Sequence, residues 1–288
     1  MLAVDGTVHG RHGPVPVRRY SSTAATADAG QTAGLVVWVH GGAFSHGGLD
    51  QPESHAVGLE LATEGFPVVT VDYRKVPAWS WWRKTRPGIL DGIRYPDPLE
   101  DVIDVVLSLR AEDDTGTPLI LGGASAGACL SAGAARRLLD EEKPGPDRLM
   151  LAYGTFHSSL PPASRQLRAR IRGRHALAQF RAPTVDRMNR NYAGRIEAMG
   201  DKHAFPGGHD LTRMPPTLCL DADRDSLRAS GELFAHELNQ AGSLVRHEVV
   251  PESAHGFLNR PGTATFDDGI RRMIRWLRSG ASTQGNLT

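Results

Sequence analysis

The sequence predicts an α/β fold with a mostly parallel central sheet and helices on both of its faces. Three observations carry that expectation. Short runs rich in Val, Leu and Ile recur along the chain, they are apolar without alternation, and segments of helix length separate them. A continuously apolar strand is covered on both faces, as in a parallel sheet. Strand, helix, strand in repetition then gives a doubly wound sheet.

The elements follow in order. Val15 to Tyr20, with Pro16 inside it, reads as an edge strand, because proline cannot donate to an interior ladder. Leu35 to Val39, Pro67 to Val71, Pro118 to Leu121, Leu149 to Tyr153 and Thr217 to Leu220 read as buried strands. Val245 to Val250 is a further strand with polar residues interleaved. Helices are expected over Glu53 to Glu64, Pro98 to Arg110, Ala126 to Asp140, Ser230 to Ala241 and Phe266 to Arg278. Two regions break the rhythm: residues 78–95, which hold three tryptophans, and residues 158–210, which hold no clear strand. The expected organisation is a core of residues 1–157 and 211–288. Residues 158–210 form a helical cap over one end of the sheet, either alone or together with loop 78–95.

Bulk properties narrow the class. At 288 residues the chain can bury about 75% of the surface its unfolded form exposes, so it needs no disulfides. Its two cysteines, Cys129 and Cys219, lie in an Ala/Gly-rich helical run and an apolar strand run and read as small buried hydrophobes. No CxxC pair suggests a metal. A net charge of +1 gives no global field favouring nucleic acid. No apolar stretch approaches the roughly 18 residues of a membrane span, and none near the N-terminus has signal-peptide character. A cytoplasmic protein without membrane partners is expected.

The chemistry is carried by four segments. Gly123-Ala124-Ser125-Ala126-Gly127 is a G-x-S-x-G match, weak alone but placed between an apolar strand and a helix rich in small residues. That is the setting of a nucleophile elbow, where a tight turn exposes the serine oxygen at a helix N-terminus. An incidental serine in a Gly-rich turn is the competing reading. His40-Gly41-Gly42-Ala43-Phe44 directly follows a strand. An oxyanion needs closely approaching backbone N–H groups, each worth on the order of 10² to 10³ in turnover. Gly42, Ala43 and Ala126 are the expected donors, with Gly41 shaping the loop. A phosphate-binding loop is disfavoured, since neither GxGxxG spacing nor a following Lys-Ser/Thr is present. A serine nucleophile also needs a base and an orienting carboxylate, in the chain order Ser, acid, His. His255 follows the last strand and precedes the last helix. Asp221, Asp223 and Asp225 compete for the acid role after strand Thr217 to Leu220. Asp225 stands deepest in the loop and is preferred, with Asp223 next.

At these residues the sequence resembles the bacterial hormone-sensitive-lipase-like carboxylesterases, from about Val15 to Leu277. HGGAF at 40–44, followed by Gly47-Gly48, matches the HGGG-type motif. Asp72-Tyr73-Arg74-Lys75-Val76-Pro77 resembles DYRLAP, and Tyr95-Pro96-Asp97-Pro98-Leu99-Glu100-Asp101 resembles YPAALED. Asp225-Ser226-Leu227-Arg228 resembles D-x-L-R-D, whose first Asp is the triad acid, and His255-Gly256-Phe257 matches HGF. The resemblance implies an α/β-hydrolase fold and a Ser125–His255–Asp225 triad, and it supports Asp225 over Asp223. Departures are Ala124 and Ala128 within GDSAGG, and Ala229 at the second Asp of D-x-L-R-D. Only 39 residues precede His40, so the cap is expected mainly from 158–210.

The function implied is hydrolysis of small to medium carboxylic esters through an acyl-enzyme, with no metal or cofactor, by a monomer or homodimer. A specialised natural-product ester, a lactone or an amide is the alternative substrate, and a non-catalytic ligand-binding homologue is the rival of another class. Candidate substrate contacts are Phe44, Phe257, Trp79, Trp81 and Trp82, the tryptophans having core or cap packing as their other reading. The cap segment is strongly basic, with Arg165, Arg168, Arg170, Arg172, Arg174 and Arg181 among its cations. These read as a solvated helical face or, alternatively, as guides for an anionic ester.

Overall fold

In the computed structural model, residues 2–21, 34–78 and 90–280 are described. Eight strands form one sheet: β1 (Leu2–Gly10), β2 (Gly13–Ser21), β3 (Leu35–Val39), β4 (Val68–Val71), β5 (Leu119–Ala124), β6 (Arg148–Ala152), β7 (Thr217–Arg224) and β8 (Val245–Ala254). Their order is β1-β2-β4-β3-β5-β6-β7-β8. β1 and β2 pair antiparallel, β2 runs antiparallel to β4, and every later pair is parallel. The order reverses at β3, which has β4 on one side and β5 on the other. In open α/β sheets a ligand crevice opens at such a switch point, beyond the carboxyl ends of the strands.

Helices cover both faces, as the uninterrupted apolar strands require. On one face α2 (Asp97–Glu112), α3 (Ala126–Asp140) and α6 (Arg228–Gln240) pack on Val37, Val39, Leu121 and Leu151. On the other, α1 (Pro52–Thr63) and α7 (Ala264–Arg278) pack on Val36, Trp38, Ile120 and Met150. Along β3, successive residues therefore point to opposite faces and all find a core. In α7 the buried residues Phe266, Ile270, Met273, Ile274 and Leu277 recur at helical spacing. Thr263 caps that helix by accepting a bond from Phe266 N at 3.3 Å. Buried Arg148 of β6 donates to the carbonyls of Trp276 and Leu277 at the carboxyl end of α7, at 2.6 and 3.2 Å, and lies over the Trp276 ring.

Besides shifts of a few residues at other strand ends, three departures from the sequence expectation stand out. The first is β1, whose residues face solvent except Val8 and Gly10 and so lack the apolar signal. It is held by its hairpin and by Arg11, which grips Asp104 of α2 with bonds at 2.7 and 3.0 Å. The second is β7, which runs four residues beyond Leu220, so Asp221 and Asp223 lie in the strand rather than in a loop. The third is β8, which runs to Ala254 and leaves His255 as the first residue after it.

Between β6 and β7 come α4 (Arg165–Arg170), a 3-10 turn at Gly173–Ala178, α5 (Ala182–Ala193) and a second turn at Glu197–Gly200. α5 buries Val185, Met188 and Tyr192, and Gly194 ends it in a left-handed conformation at φ 74°. Asn189 ties α5 down by donating to the carbonyls of His157 and Ser158 at 3.0 and 2.9 Å. Arg170 pairs with Asp223 of β7 and Glu252 of β8. Leu167 is buried while Arg165, Arg168 and Arg172 are exposed, the pattern of a solvated helical face. No helix among the described residues is long and apolar enough to cross a membrane.

Candidate active site

Parallel pairing brings the motif segments together. β3 and β5 are neighbours with Val39 opposite Gly123, so the chain leaves both strands at the same end of the sheet. After β5 the backbone turns sharply at Ser125, φ 53° and ψ −116°, straight into α3. A Cβ on Gly123 would lie 2.6 Å from the carbonyl oxygens of Gly127 and Val39, and one on Gly127 would lie 2.1 Å from Val39 O. Neither position has room for a side chain, which is why the turn needs glycine two residues before and two after the serine. Ser125 N donates to Ala152 O at 2.9 Å, fixing the turn to β6.

The serine hydroxyl faces His255, with Ser125 Oγ 3.1 Å from Nε2. On the other side of the ring Nδ1 lies 2.6 Å from Asp225 Oδ2. A buried carboxylate can only accept, so Nδ1 carries the proton and Nε2 is left free to accept from the serine. Asp225, 1% exposed, uses its other oxygen to accept from Leu227 N at 2.9 Å. Tyr153 and Phe180 meet the imidazole edge-on, with ring centroids 5.1 and 4.9 Å away. The other two aspartates are engaged elsewhere: Asp221 accepts from His247 Nε2 at 2.8 Å, and Asp223 takes Arg170 and the amide of Glu252.

Burial acts to lower the pKa of His255. The charge of Asp225 and its hydrogen bond, with smaller contributions from Glu53 and Asp221, outweigh that effect and hold the ring above its ordinary 6.5. A base of this kind works only when neutral, so its activity is lost on acidification as the ring protonates. The acid limb of kcat/KM, measured on the free enzyme across a pH series, is expected to lie above 6.5. A limb below that value would contradict the arrangement.

The loop after β3 supplies amides. Gly42, Ala43 and Phe44 all have positive φ, at 120°, 53° and 62°, and Gly42 O accepts from the amides of Ser45 and His46 at 3.0 and 2.9 Å, so the stretch closes into a tight turn. No partner for the amides of Gly42 and Ala43 is found among the described residues, and both residues line the cavity beside Ser125. Ala126 is the first residue of α3, so its N–H is among the unsatisfied donors at that helix N-terminus. Gly41 differs, because its amide already donates to Glu53 Oε1 at 2.8 Å. His40 is a strut: it lies 3.2 Å from Asp72 Oδ1 and stacks on Tyr73.

The cavity over Ser125 measures about 250 Å³. One part of its wall is apolar, made by Phe180, Met188 and Leu227; another is polar, made by His46, Gln51, Glu53 and Asn259. Arginine is absent from the lining among the described residues. Two expected contacts are corrected. Phe44 does not line the cavity: its left-handed backbone turns the ring into the core, where it is fully buried and stacked on Tyr192 at 4.0 Å. Phe257 does not line it either. It starts a 3-10 turn behind Gly256 and packs between Tyr153 and Gly269 of α7. Trp79, Trp81 and Trp82 lie outside the described residues. Sequence reasoning missed Phe180 and Met188, which sit in a stretch with no strand signal, and Glu53, which reads as an ordinary first-turn acid of α1.

Comparison with known proteins places the chain in a family. A family profile described as alpha/beta hydrolase fold matches residues 36–259. The chain belongs to this family. All the motif segments quoted above fall inside the matched span. A carboxylesterase of Mycobacterium tuberculosis, NlhH, is 29% identical over 235 residues, which is 78% of this chain and 66% of the relative. This α/β hydrolase thus spans just under two thirds of that relative's length. An ethyl acetate hydrolase of Pseudomonas putida is 24% identical over 277 residues, covering 92% of this chain and 78% of the relative. Among solved structures, the esterase of Pyrobaculum calidifontis superposes with a TM-score of 0.79 at 26% identity, covering 98% of this chain and 86% of that one.

Proposed function

We propose that this α/β hydrolase is a serine carboxylesterase acting on short esters, with Ser125 as nucleophile, His255 as base and Asp225 as the orienting acid. The observation that carries this reading is the unbroken hydrogen-bond chain from Ser125 Oγ through His255 to Asp225, opening into a cavity lined by Gly42 and Ala43. Ser125 Oγ attacks the ester carbonyl carbon as its proton passes to His255 Nε2. The oxyanion is held by the amides of Gly42, Ala43 and Ala126. The imidazolium then protonates the departing alcohol, leaving an acyl-enzyme. Water gives a proton to His255 as it attacks the acyl carbon; the second tetrahedral intermediate then collapses, His255 returns that proton to the departing Ser125 Oγ, and the acid is released. Residues 158–210 form the cap, contributing Phe180 and Met188 to the cavity wall. The relatives named as a carboxylesterase and an ethyl acetate hydrolase support the reaction class.

The cavity, about 250 Å³, is smaller than the roughly 300–1,000 Å³ of pockets that take drug-sized ligands. On a p-nitrophenyl ester series, acetate and butyrate are expected to exceed decanoate in kcat/KM by about tenfold or more. Preference for decanoate would contradict the short-ester reading. Hydrolysis of anilides without any hydrolysis of esters would overturn the reaction class.

A further inference from the structure

Glu53, on the first turn of α1, is a charged residue in the floor of the site that the proposed reaction does not use. It is 2% exposed, and both its oxygens are fully engaged. Oε1 accepts from Gly41 N at 2.8 Å and from Gln51 Nε2 at 2.7 Å. Oε2 accepts from the Tyr153 hydroxyl at 2.7 Å and from Asn259 Nδ2 at 2.8 Å. Apart from Gln51, which sits two residues before Glu53, these donors come from separate segments. Gly41 precedes the amides of Gly42 and Ala43, Tyr153 directly follows β6, and Asn259 belongs to the turn that follows His255. Asn259 also accepts from Glu53 N at 3.3 Å, so the link to the histidine turn is double.

We infer that Glu53 is a positioning residue, whose carboxylate fastens the loop carrying Gly42 and Ala43 to the turn carrying His255. The inference rests on the esterase reading above. Its physical basis is that an ionised carboxylate is costly to bury and is tolerated where several donors converge on it. Here the donors converge from two sides of the reacting centre. A Cβ at Gly41 would come within 2.5 Å of Oε1, so the loop is seated directly on the carboxylate. Tyr153, held by Oε2, in turn braces the imidazole edge-on. The charge matters as well as the bonds. His255 is faced by Asp225 from the turn before α6, Asp221 from β7, Glu53 from α1, the hydroxyl of Ser125 and the ring of Tyr153. The imidazolium formed in the transition state is stabilised by those carboxylates, Glu53 included.

The experiment compares Glu53→Gln and Glu53→Asp with the wild-type enzyme on p-nitrophenyl acetate. Wild-type turnover, lost in Ser125→Ala, first establishes the esterase reading; its absence would sink that reading rather than this one. Glu53→Gln keeps the shape and removes the charge. It is expected to lower kcat by about 10- to 100-fold, with KM within about threefold, and to move the acid limb of kcat/KM to lower pH. Glu53→Asp keeps the charge and shortens the reach, so kcat falls while the acid limb stays. A Glu53→Gln enzyme with kcat within about threefold of wild type, or with an unmoved limb, overturns the inference. If Glu53→Gln does not fold, Glu53→Asp decides: reduced kcat with an unmoved limb supports it, and wild-type kcat overturns it.

Discussion

Ser125→Ala is expected to lower kcat by a factor on the order of 10⁶ while leaving the fold intact. The only hydrogen bond the serine side chain makes among the described residues is to His255 Nε2. Its backbone bond to Ala152 O does not depend on the side chain. The strained turn is held by the absence of side chains at Gly123 and Gly127, which the substitution leaves alone. The loss is therefore chemical: no oxygen remains to form the acyl-enzyme, and the amides of Gly42, Ala43 and Ala126 have no covalent intermediate to stabilise. Steady-state turnover of p-nitrophenyl acetate, read beside the thermal melt, checks this. An alanine enzyme within a hundredfold of wild type would show that another group is the nucleophile.

Asp225→Asn is the second large effect, about 10⁴ in kcat. Asp225 accepts on both oxygens, from His255 Nδ1 and from Leu227 N. An amide has one acceptor and one donor end. With its NH₂ toward Leu227 it meets another donor in a buried place. With its NH₂ toward His255 it forces Nδ1 to accept, which puts the ring proton on Nε2 facing Ser125. In that tautomer the ring cannot take the serine proton. The expected signature is a large fall in kcat with KM little changed, read from full saturation curves. A loss below tenfold would mean that Asp221 or Asp223 can substitute. That would conflict with their bonds to His247 and Arg170.

Much of this was legible in the residues, and the reasons differ from element to element. β3 to β7 announce themselves because both faces of each are buried, which forces unbroken apolar runs. β1 gives no such sign, since it lies at the sheet edge with nearly every residue in solvent. Ser125 stands out because the turn excludes side chains at Gly123 and Gly127, a steric demand that shows as a spacing. Choosing among Asp221, Asp223 and Asp225 from spacing alone was harder. All three follow an apolar run, and the extension of β7 to Arg224 depends on contacts with β8 that are distant in sequence. Phe44 and Phe257 look like pocket aromatics because they end the two motifs. Backbone conformation turns both rings into the core instead. Glu53 left no signal at all, because an acid in the first turn of a helix is common for reasons unrelated to an active site. Its role depends on donors from Gly41, Tyr153 and Asn259, which only folding brings to it.

The central claim is that one hydroxyl, made nucleophilic by its two partners, forms the covalent intermediate. Its most direct measurement is labelling with diethyl p-nitrophenyl phosphate followed by peptide mass mapping. In that reaction Oγ displaces p-nitrophenolate and keeps the diethyl phosphoryl group. One adduct per chain on the peptide carrying Ser125, formed in step with loss of activity and absent from Ser125→Ala, is the expected result. Complete inactivation with the adduct on a different residue would contradict the account.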